Sequence, residues 1–189
     1  MCSQWLIIFM LLPCLQVALT RIIGLDEHVA GEDLKEDQFG IASSYFYKLT
    51  NKYSGSNRTL ETIITGDNPE DIKMTLFHNY DIGYWRFIRL SNNKYRIQNY
   101  VYGGSMSLDI VKYKMKYKLH MNETADVLGQ YWHLTRLSDG SFRFTNDFSG
   151  PKMALDVQAD THKPIMTKIA ANHLGQHWIF MKAGKYSSD

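Results

Sequence analysis

Four lysines near the middle of the chain alternate with larger apolar residues: Lys112, Lys114, Lys116 and Lys118. Successive side chains of a strand point to opposite faces, so a period of two predicts four ammonium groups on one face of a strand or extended loop. Such a face would hold a sulfated polysaccharide or anionic lipid headgroups by electrostatic attraction. The alternative is a solvated face on which the lysines prevent edge-to-edge pairing of strands.

The sequence offers little that could perform catalysis. His173 and His177 are four positions apart, but strand and loop segments would not bring them to one face, and no H-E-x-x-H sequence is present. Neither a G-x-S-x-G sequence nor a Walker loop nor a dinucleotide fingerprint occurs. We therefore expect no enzyme, no catalytic residue, no cofactor and no metal site.

Composition and length limit the remaining classes. A chain of 189 residues favours one domain, and an aromatic content of 13% excludes low-complexity disorder because so many rings can bury enough surface to fold. The formal net charge of +2 is small, so the whole chain gives no reason to expect nucleic acid as a partner.

The first twenty residues resemble a targeting segment. They contain no charged side chain, and the apolar run Trp5–Leu12 ends at Pro13. A membrane span needs about 20 apolar residues, whereas this run has about eight, so we predict a cleaved signal peptide at residues 1–20. The protein is then secreted, with no transmembrane segment in the mature chain.

The cysteines and the glycosylation signals agree with secretion. Cys2 and Cys14 lie inside the predicted signal peptide, so the mature chain would have neither a disulfide nor a thiol nucleophile. Two N-x-T sequences, at Asn57 and Asn122, predict N-glycosylation of an extracellular protein.

An acidic segment follows the signal peptide. Residues 21–40 contain six acidic and two basic side chains. We interpret residues 21–44 as a flexible acidic lead-in or a propeptide. A helix from Glu32 to Gln38 is the alternative.

The rest of the chain contains three copies of one unit. Three tryptophans recur 47 and 46 residues apart, at Trp85, Trp132 and Trp178. Three further landmarks recur in the same order at nearly the same spacing: Asn51, Asn99 and Asn146; Leu60, Leu108 and Leu155; Met74, Met121 and Met166. Four ordered landmarks in three units indicate an internal repeat. We expect the tryptophans and methionines to pack in the core.

Each unit has the pattern of four short strands. Alternating apolar residues and glycine-containing turns predict strands, and no segment has a sustained helical period bounded by caps. One unit of about 47 residues cannot bury its apolar face alone, so we predict an all-β, threefold barrel capped by hairpins. The predicted barrel spans residues 45–183, with repeats at 45–92, 93–139 and 140–183 and a tail at 184–189.

Short motifs within the repeats resemble those of one family. Gln130 and Gln176 stand in G-Q-x-W sequences, and Asp109 and Asp156 each follow a landmark leucine. Together these residues resemble the Q-x-W and L-D signatures of ricin-B-type β-trefoil lectin domains, over about residues 45–183. The resemblance implies a β-trefoil fold.

The first repeat departs from the family pattern. Glu61 takes the acidic position and Gly83 stands where the glutamine belongs. In all repeats the aromatic platform of the family pocket is replaced, by Thr75, Asn122 and Thr167. Gly129 and Gly175 stand where the family has a polar residue before the glutamine.

The resemblance implies that Asp109 and Asp156 accept hydrogen bonds from sugar hydroxyls, a task that suits an acceptor-only carboxylate. The alternative is an aspartate that fixes its own turn. Because a glycan on Asn122 would cover the second repeat, the better candidate sugar site is the third repeat, at Asp156, Asn172 and His173. We expect Gln130 and Gln176 to bond backbone groups of a neighbouring turn.

The resemblance thus implies a non-catalytic carbohydrate-binding module whose partners are glycans or glycoproteins, and the predicted signal peptide implies that this module is secreted. The symmetry-related acids Glu61, Asp109 and Asp156 would lie too far apart for a glycosidase, whose carboxylates stand within about 10 Å. The alternative is a protein- or heparin-binding trefoil of the growth-factor, cytokine or inhibitor type that uses the face formed by Lys112–Lys118.

Overall fold

The computed structural model describes residues 36–64, 71–76 and 81–185. The predicted signal peptide, residues 21–35 of the predicted lead-in and residues 186–189 of the predicted tail lie outside these ranges. No helix in the described ranges is long and apolar enough to cross a membrane.

Twelve strands make up most of the described chain, with four strands in each predicted repeat. Their bounds are β1 Tyr45–Asn51, β2 Gly55–Thr62, β3 Ile72–Leu76, β4 Trp85–Arg89, β5 Tyr95–Asn99, β6 Met106–Tyr113, β7 Lys116–Glu123, β8 Trp132–Arg136, β9 Phe142–Asn146, β10 Met153–Val157, β11 Pro164–Lys168 and β12 Trp178–Lys185. The helices of the described residues are short 3₁₀ turns, among them Leu128–Gln130 and Leu174–Gln176. The predicted all-β class is confirmed.

Six of the strands close a barrel. Strand β1 pairs with β12 and β4, and the ring continues through β5, β8 and β9 back to β12, with every pair antiparallel. The other six strands form three hairpins, β2–β3, β6–β7 and β10–β11, one from each repeat. A six-stranded barrel with three capping hairpins is the β-trefoil architecture.

Each repeat couples its hairpin to the barrel through a tryptophan. Trp85, Trp132 and Trp178 are fully buried, and each indole Nε1 donates to the carbonyl of the landmark leucine of its own repeat. The three bonds join Trp85 to Leu60 at 2.7 Å, Trp132 to Leu108 at 2.9 Å and Trp178 to Leu155 at 3.0 Å. A buried N–H without a partner is costly, so these contacts fix the position of strands β2, β6 and β10 over the barrel.

The prediction of four lysines on one face is wrong. The run turns back on itself, because Lys114 and Met115 have φ values of 45° and 64° and form the turn between β6 and β7. In the resulting register Lys112 lies opposite Tyr117, and Tyr113 lies opposite Lys116. Side chains directly opposite one another share a face, so Lys116 and Lys118 lie on one face of the hairpin and Lys112 on the other.

The expectation of a flexible segment does not hold for residues 36–44. Ile41 and Ala42 are buried, and the Phe39 ring meets the Phe142 ring edge-on at 5.7 Å between centroids. Asp37 organises the turn by accepting hydrogen bonds from the backbone N–H groups of Phe39 and Ile41, at 2.7 and 3.0 Å. These residues pack because their apolar side chains cover one end of the barrel, so the packed domain begins before Tyr45.

A buried tyrosine ties this segment to the barrel. The Tyr95 hydroxyl donates to the Asp37 carboxylate, while its ring is almost entirely buried. Burial, together with Asp37 as acceptor, raises the pKa of Tyr95 well above its usual range. The hydroxyl therefore stays protonated and donates at any physiological pH.

Replacing Tyr95 by phenylalanine should lower the free energy of unfolding by about 1.5–3 kcal/mol, the range for losing a hydrogen bond to a charged group. Chemical denaturation measures the change. Tyr100→Phe serves as the control, because the Tyr100 side chain is half exposed, and we expect it to leave stability nearly unchanged. Equal stabilities of Tyr95→Phe and the unmodified protein would show that Asp37 does not anchor the segment.

Candidate functional site

The two acids of the L-D motifs lie inside the protein rather than on an open pocket. Asp109 on β6 and Asp156 on β10 are only 3% and 2% exposed. Each follows the leucine whose carbonyl accepts the tryptophan N–H, so the strand alternation turns the acid away from the leucine side chain. The acids reach instead beneath the 3₁₀ turns Leu128–Gln130 and Leu174–Gln176.

In the second repeat both carboxylate oxygens have partners within the protein. Asp109 Oδ1 accepts from the backbone N–H of Ile110 at 2.7 Å, and Oδ2 accepts from Asn122 Nδ2 at 2.9 Å. Gln130 lies next to the carboxylate and donates to the carbonyl of Glu123 at 2.7 Å. The carboxylate therefore serves the local turn and offers little to a ligand.

The third repeat has the same arrangement with one difference. Asp156 Oδ1 accepts from the Val157 N–H at 2.7 Å, and Oδ2 accepts from Thr167 Oγ1 at 2.5 Å. A third group, His173 Nε2, lies 3.0 Å from Oδ2, and the His173 side chain is 51% exposed. Asn172 is exposed beside it. A buried carboxylate is thus covered by a side chain that solvent or a ligand can reach.

The two glutamines bridge backbone groups of the adjoining loops. Gln176 Nε2 donates to the carbonyl of Lys168 at 2.8 Å, and its Oε1 accepts from the N–H of Ala170 at 3.1 Å. Gln130 accepts in the same way from the N–H of Ala125 at 3.0 Å. Both glutamines are fully buried, so these bonds satisfy groups that water cannot reach.

The glycine before each glutamine is required by the acid beneath it. A Cβ atom at Gly129 would stand 1.9 Å from Asp109 Oδ1, and one at Gly175 would stand 2.1 Å from Asp156 Oδ1. Such distances are far inside van der Waals contact. The two glycines that replace the polar residue of the family pattern therefore leave room for the inward-pointing carboxylates.

The first repeat has no comparable site. Glu61 is buried and its Oε1 accepts from Thr59 Oγ1 at 2.9 Å. A Cβ atom at Gly83 would meet the Glu61 side chain at 3.2 Å, so the longer acid fills the space above the turn. Both predicted glycosylation residues, Asn57 on β2 and Asn122 on β7, are exposed.

The two histidines singled out in the sequence do not act together, since His173 pairs with Asp156 and His177 with Asp139. His177 Nδ1 lies 2.7 Å from Asp139 Oδ2 and 3.1 Å from Ser141 Oγ. Asp139 also pairs with Lys52 at 2.8 Å; this contact and the Ser141 hydrogen bonds hold the pKa of Asp139 well below its usual range. Both partners meet the same imidazole nitrogen, so the cluster lacks the two-sided hydrogen bonding that a serine-histidine-aspartate relay needs.

A separate cavity lies where the three hairpins meet. It has a volume of about 750 Å³ and is lined by parts of β3, the β6–β7 hairpin and the loop that leads into β11. Lys114, Lys116 and Lys118 line it, whereas Lys112 does not. Among the described residues no group of three or more histidine, cysteine, aspartate or glutamate side chains is placed to hold a metal ion.

Replacing Gly175 by alanine should lower the free energy of unfolding by about 1–3 kcal/mol, because the added methyl group would overlap the Asp156 carboxylate. Thermal or chemical denaturation measures the loss. Gly184→Ala is the matched control, since a Cβ atom there would meet nothing within 4 Å. A Gly175→Ala protein as stable as the control would contradict the inward position of Asp156.

Neither protein-family models nor curated protein sequences match this chain. Solved structures do. The designed threefold-symmetric protein ThreeFoil is 22% identical with a TM-score of 0.60, over 71% of this chain and 96% of its own.

Two natural proteins are also similar. The Macrolepiota procera ricin B-like lectin, solved with lactose, is 18% identical with a TM-score of 0.58, over 74% of this chain and 96% of its own. An exo-β-1,3-galactanase from Clostridium thermocellum is 22% identical with a TM-score of 0.62, over 76% of this chain and only 31% of its own. At these identities the likeness shows the fold, so this chain shares the β-trefoil fold of ricin B-like lectins.

Proposed function

We propose that the protein is a secreted, non-catalytic carbohydrate-binding module whose sugar contact lies in the third repeat. The observation that carries this proposal is the contact between the half-exposed His173 and the buried Asp156. Asn172, exposed beside His173, completes the contact surface.

In the proposed binding step a sugar hydroxyl takes the place of the His173 ring beside Asp156. The imidazole of His173 turns into solvent, and a sugar hydroxyl donates to Asp156 Oδ2 in its place. The donors to this carboxylate, which are the Val157 N–H, the Thr167 hydroxyl and, at 3.4 Å, Gln176 Nε2, stay where they are. A carboxylate held by three internal bonds is already oriented, so the sugar loses little affinity to reorganisation of the site.

The other repeats are poorer candidates for the same step. In the second repeat Val127 stands at the position of His173 and offers no polar group. Asn122, the counterpart of Thr167, bonds Asp109 through Nδ2, which is also the atom that a glycan would occupy. In the first repeat Glu61 is buried against Thr59.

Secretion and the non-catalytic role rest on sequence and on comparison. The apolar run Trp5–Leu12 supports secretion. The similarity to the Macrolepiota procera lectin, solved with lactose, supports a binding role. The galactanase is consistent with it, because this chain matches less than a third of that enzyme's length.

A glycan array probed with the recombinant protein tests the proposal. We expect binding to neutral glycans, and Asp156→Asn should weaken it by roughly tenfold or more, as expected for loss of a charge-assisted hydrogen bond. Asp109→Asn is the matched control, since it makes the same change in the second repeat and should leave binding unchanged.

Because Asp156 also organises its turn, thermal denaturation should accompany the array. If Asp156→Asn does not fold, Asn172→Ala provides the test, because that side chain is exposed and its truncation should weaken binding without loss of stability. Absence of neutral-sugar binding, or binding that Asp156→Asn and Asn172→Ala both leave untouched, would refute the proposal.

The alternative function is a protein- or heparin-binding trefoil that uses the lysines of the β6–β7 hairpin. The observation in its favour is that Lys114, Lys116 and Lys118 remain together around the hairpin tip. Lys112 lies on the opposite face and would not take part.

This alternative predicts retention on a heparin column that falls steeply with salt, since exposed charges are screened over about 8–10 Å at physiological ionic strength. Lys114→Ser combined with Lys116→Ser should elute at clearly lower salt than the unmodified protein, and Lys112→Ser should not. Retention that is the same for all three proteins would exclude the lysine hairpin as a heparin site.

A further inference from the structure

The cavity between the three hairpins has the size and position of a small-molecule site. Its volume of about 750 Å³ lies within the range of about 300–1,000 Å³ typical of ligand pockets. Each repeat contributes one wall: Asp71–Thr75 from the first, Tyr113, Lys114 and Lys116–Leu119 from the second, and residues between Gln158 and Ile165 from the third.

The floor of the cavity is apolar. Ile72, Met74 and Leu119 line it and belong to the buried core of the barrel, and Pro164 and Ile165 complete it from the third repeat. Tyr117, also in the lining, is held in place by an edge-on contact with Phe148 at 6.2 Å between centroids. An apolar tail bound here would bury its surface against a preformed apolar floor, which favours binding.

The rim of the cavity is cationic. Five exposed lysines stand around it: Lys73, Lys114, Lys116, Lys118 and Lys163. Among the described residues, Asp71 is the one carboxylate in the lining, and it pairs with Lys118 at 3.0 Å. The described residues give the other four lysines no carboxylate partner, so their charges add up at one opening.

We propose that this cavity binds a small amphipathic anion, with its apolar body against the floor and its acid group at the lysines of the rim. A free sugar would gain little from the apolar floor. A sulfated polysaccharide would bind the rim but leave the floor empty. The ligand class that uses both parts is a hydrocarbon chain or ring system ending in a carboxylate, sulfate or phosphate. The site is separate from Asp156 and does not depend on sugar binding.

Titration calorimetry of the full chain with decanoate tests the proposal. We expect one decanoate to bind per protein below the micelle-forming concentration. Acetate, which lacks the tail, should show no detectable binding. Decanol, which lacks the charge, should bind at least about tenfold more weakly than decanoate. Lys116→Gln combined with Lys163→Gln should weaken decanoate binding by roughly tenfold.

Two further variants separate the cavity from a general attraction to positive charge. Lys112→Gln removes a lysine from the same hairpin that does not line the cavity, and it should leave decanoate binding within about twofold of the unmodified protein. Thr161→Trp places a bulky ring at an exposed position of the lining and should block the cavity without disturbing the core.

The possible outcomes divide clearly. Binding that needs both tail and charge, and that Thr161→Trp abolishes while Lys112→Gln does not, supports the proposal. Acetate binding as tight as decanoate binding, equal losses in Lys112→Gln and the double variant, or no decanoate binding at all would overturn it. Sugar binding measured on the same variants should be unchanged, which keeps the two sites distinguishable.

Discussion

The buried indole N–H of each repeat is the contact that organises the whole fold. Trp85, Trp132 and Trp178 bring large apolar rings into the core, but each ring carries a donor that must find an acceptor away from water. The acceptor is in each case the leucine carbonyl of the same repeat's hairpin. One such hydrogen bond in each repeat therefore joins the barrel to a capping hairpin. The described residues contain no cysteine, so no disulfide contributes to this part of the fold.

The same contact determines what the neighbouring acids can do. With the leucine side chain in the core and its carbonyl held by the tryptophan, the next residue must turn toward the glutamine-bearing turn. Asp109 and Asp156 fit there because Gly129 and Gly175 leave the space of a Cβ atom open. The L-D motif, which resembles a sugar-binding signature, thus contributes to packing in this protein. Access of a ligand to the carboxylate depends on the side chain that covers it.

Sequence reasoning captured the features that repeat and missed those that depend on a single position. The spacing of tryptophan, leucine and methionine was enough to predict the all-β class and four strands in each unit, because each landmark occupies an equivalent place in the core. The turn at Lys114 and Met115 was missed, since neither residue is a glycine or asparagine and the alternation runs through it without a break. The packing of residues 36–44 was missed because it depends on partners such as Tyr95 and Phe142, far along the chain. Gly129 and Gly175 were recognised in the sequence only as the absence of a polar residue of the family pocket. The structure shows that they leave space for the inward-pointing carboxylates of Asp109 and Asp156.

Because some polar residues are needed for packing, their presence is weak evidence for a ligand site. An aspartate that holds its own turn would be kept by the fold even in a protein that binds no sugar, so Asp156 alone says little about ligands. His173 has no such duty: it is half exposed, it lies outside the core, and the turn is already held by Val157, Thr167 and Gln176. The hairpin lysines are similar, because they stand at the tips of strands whose inner residues carry the packing. Loops and tips on a rigid scaffold are where substitutions alter binding without altering stability. In this protein, therefore, function is best sought in side chains that the core does not need.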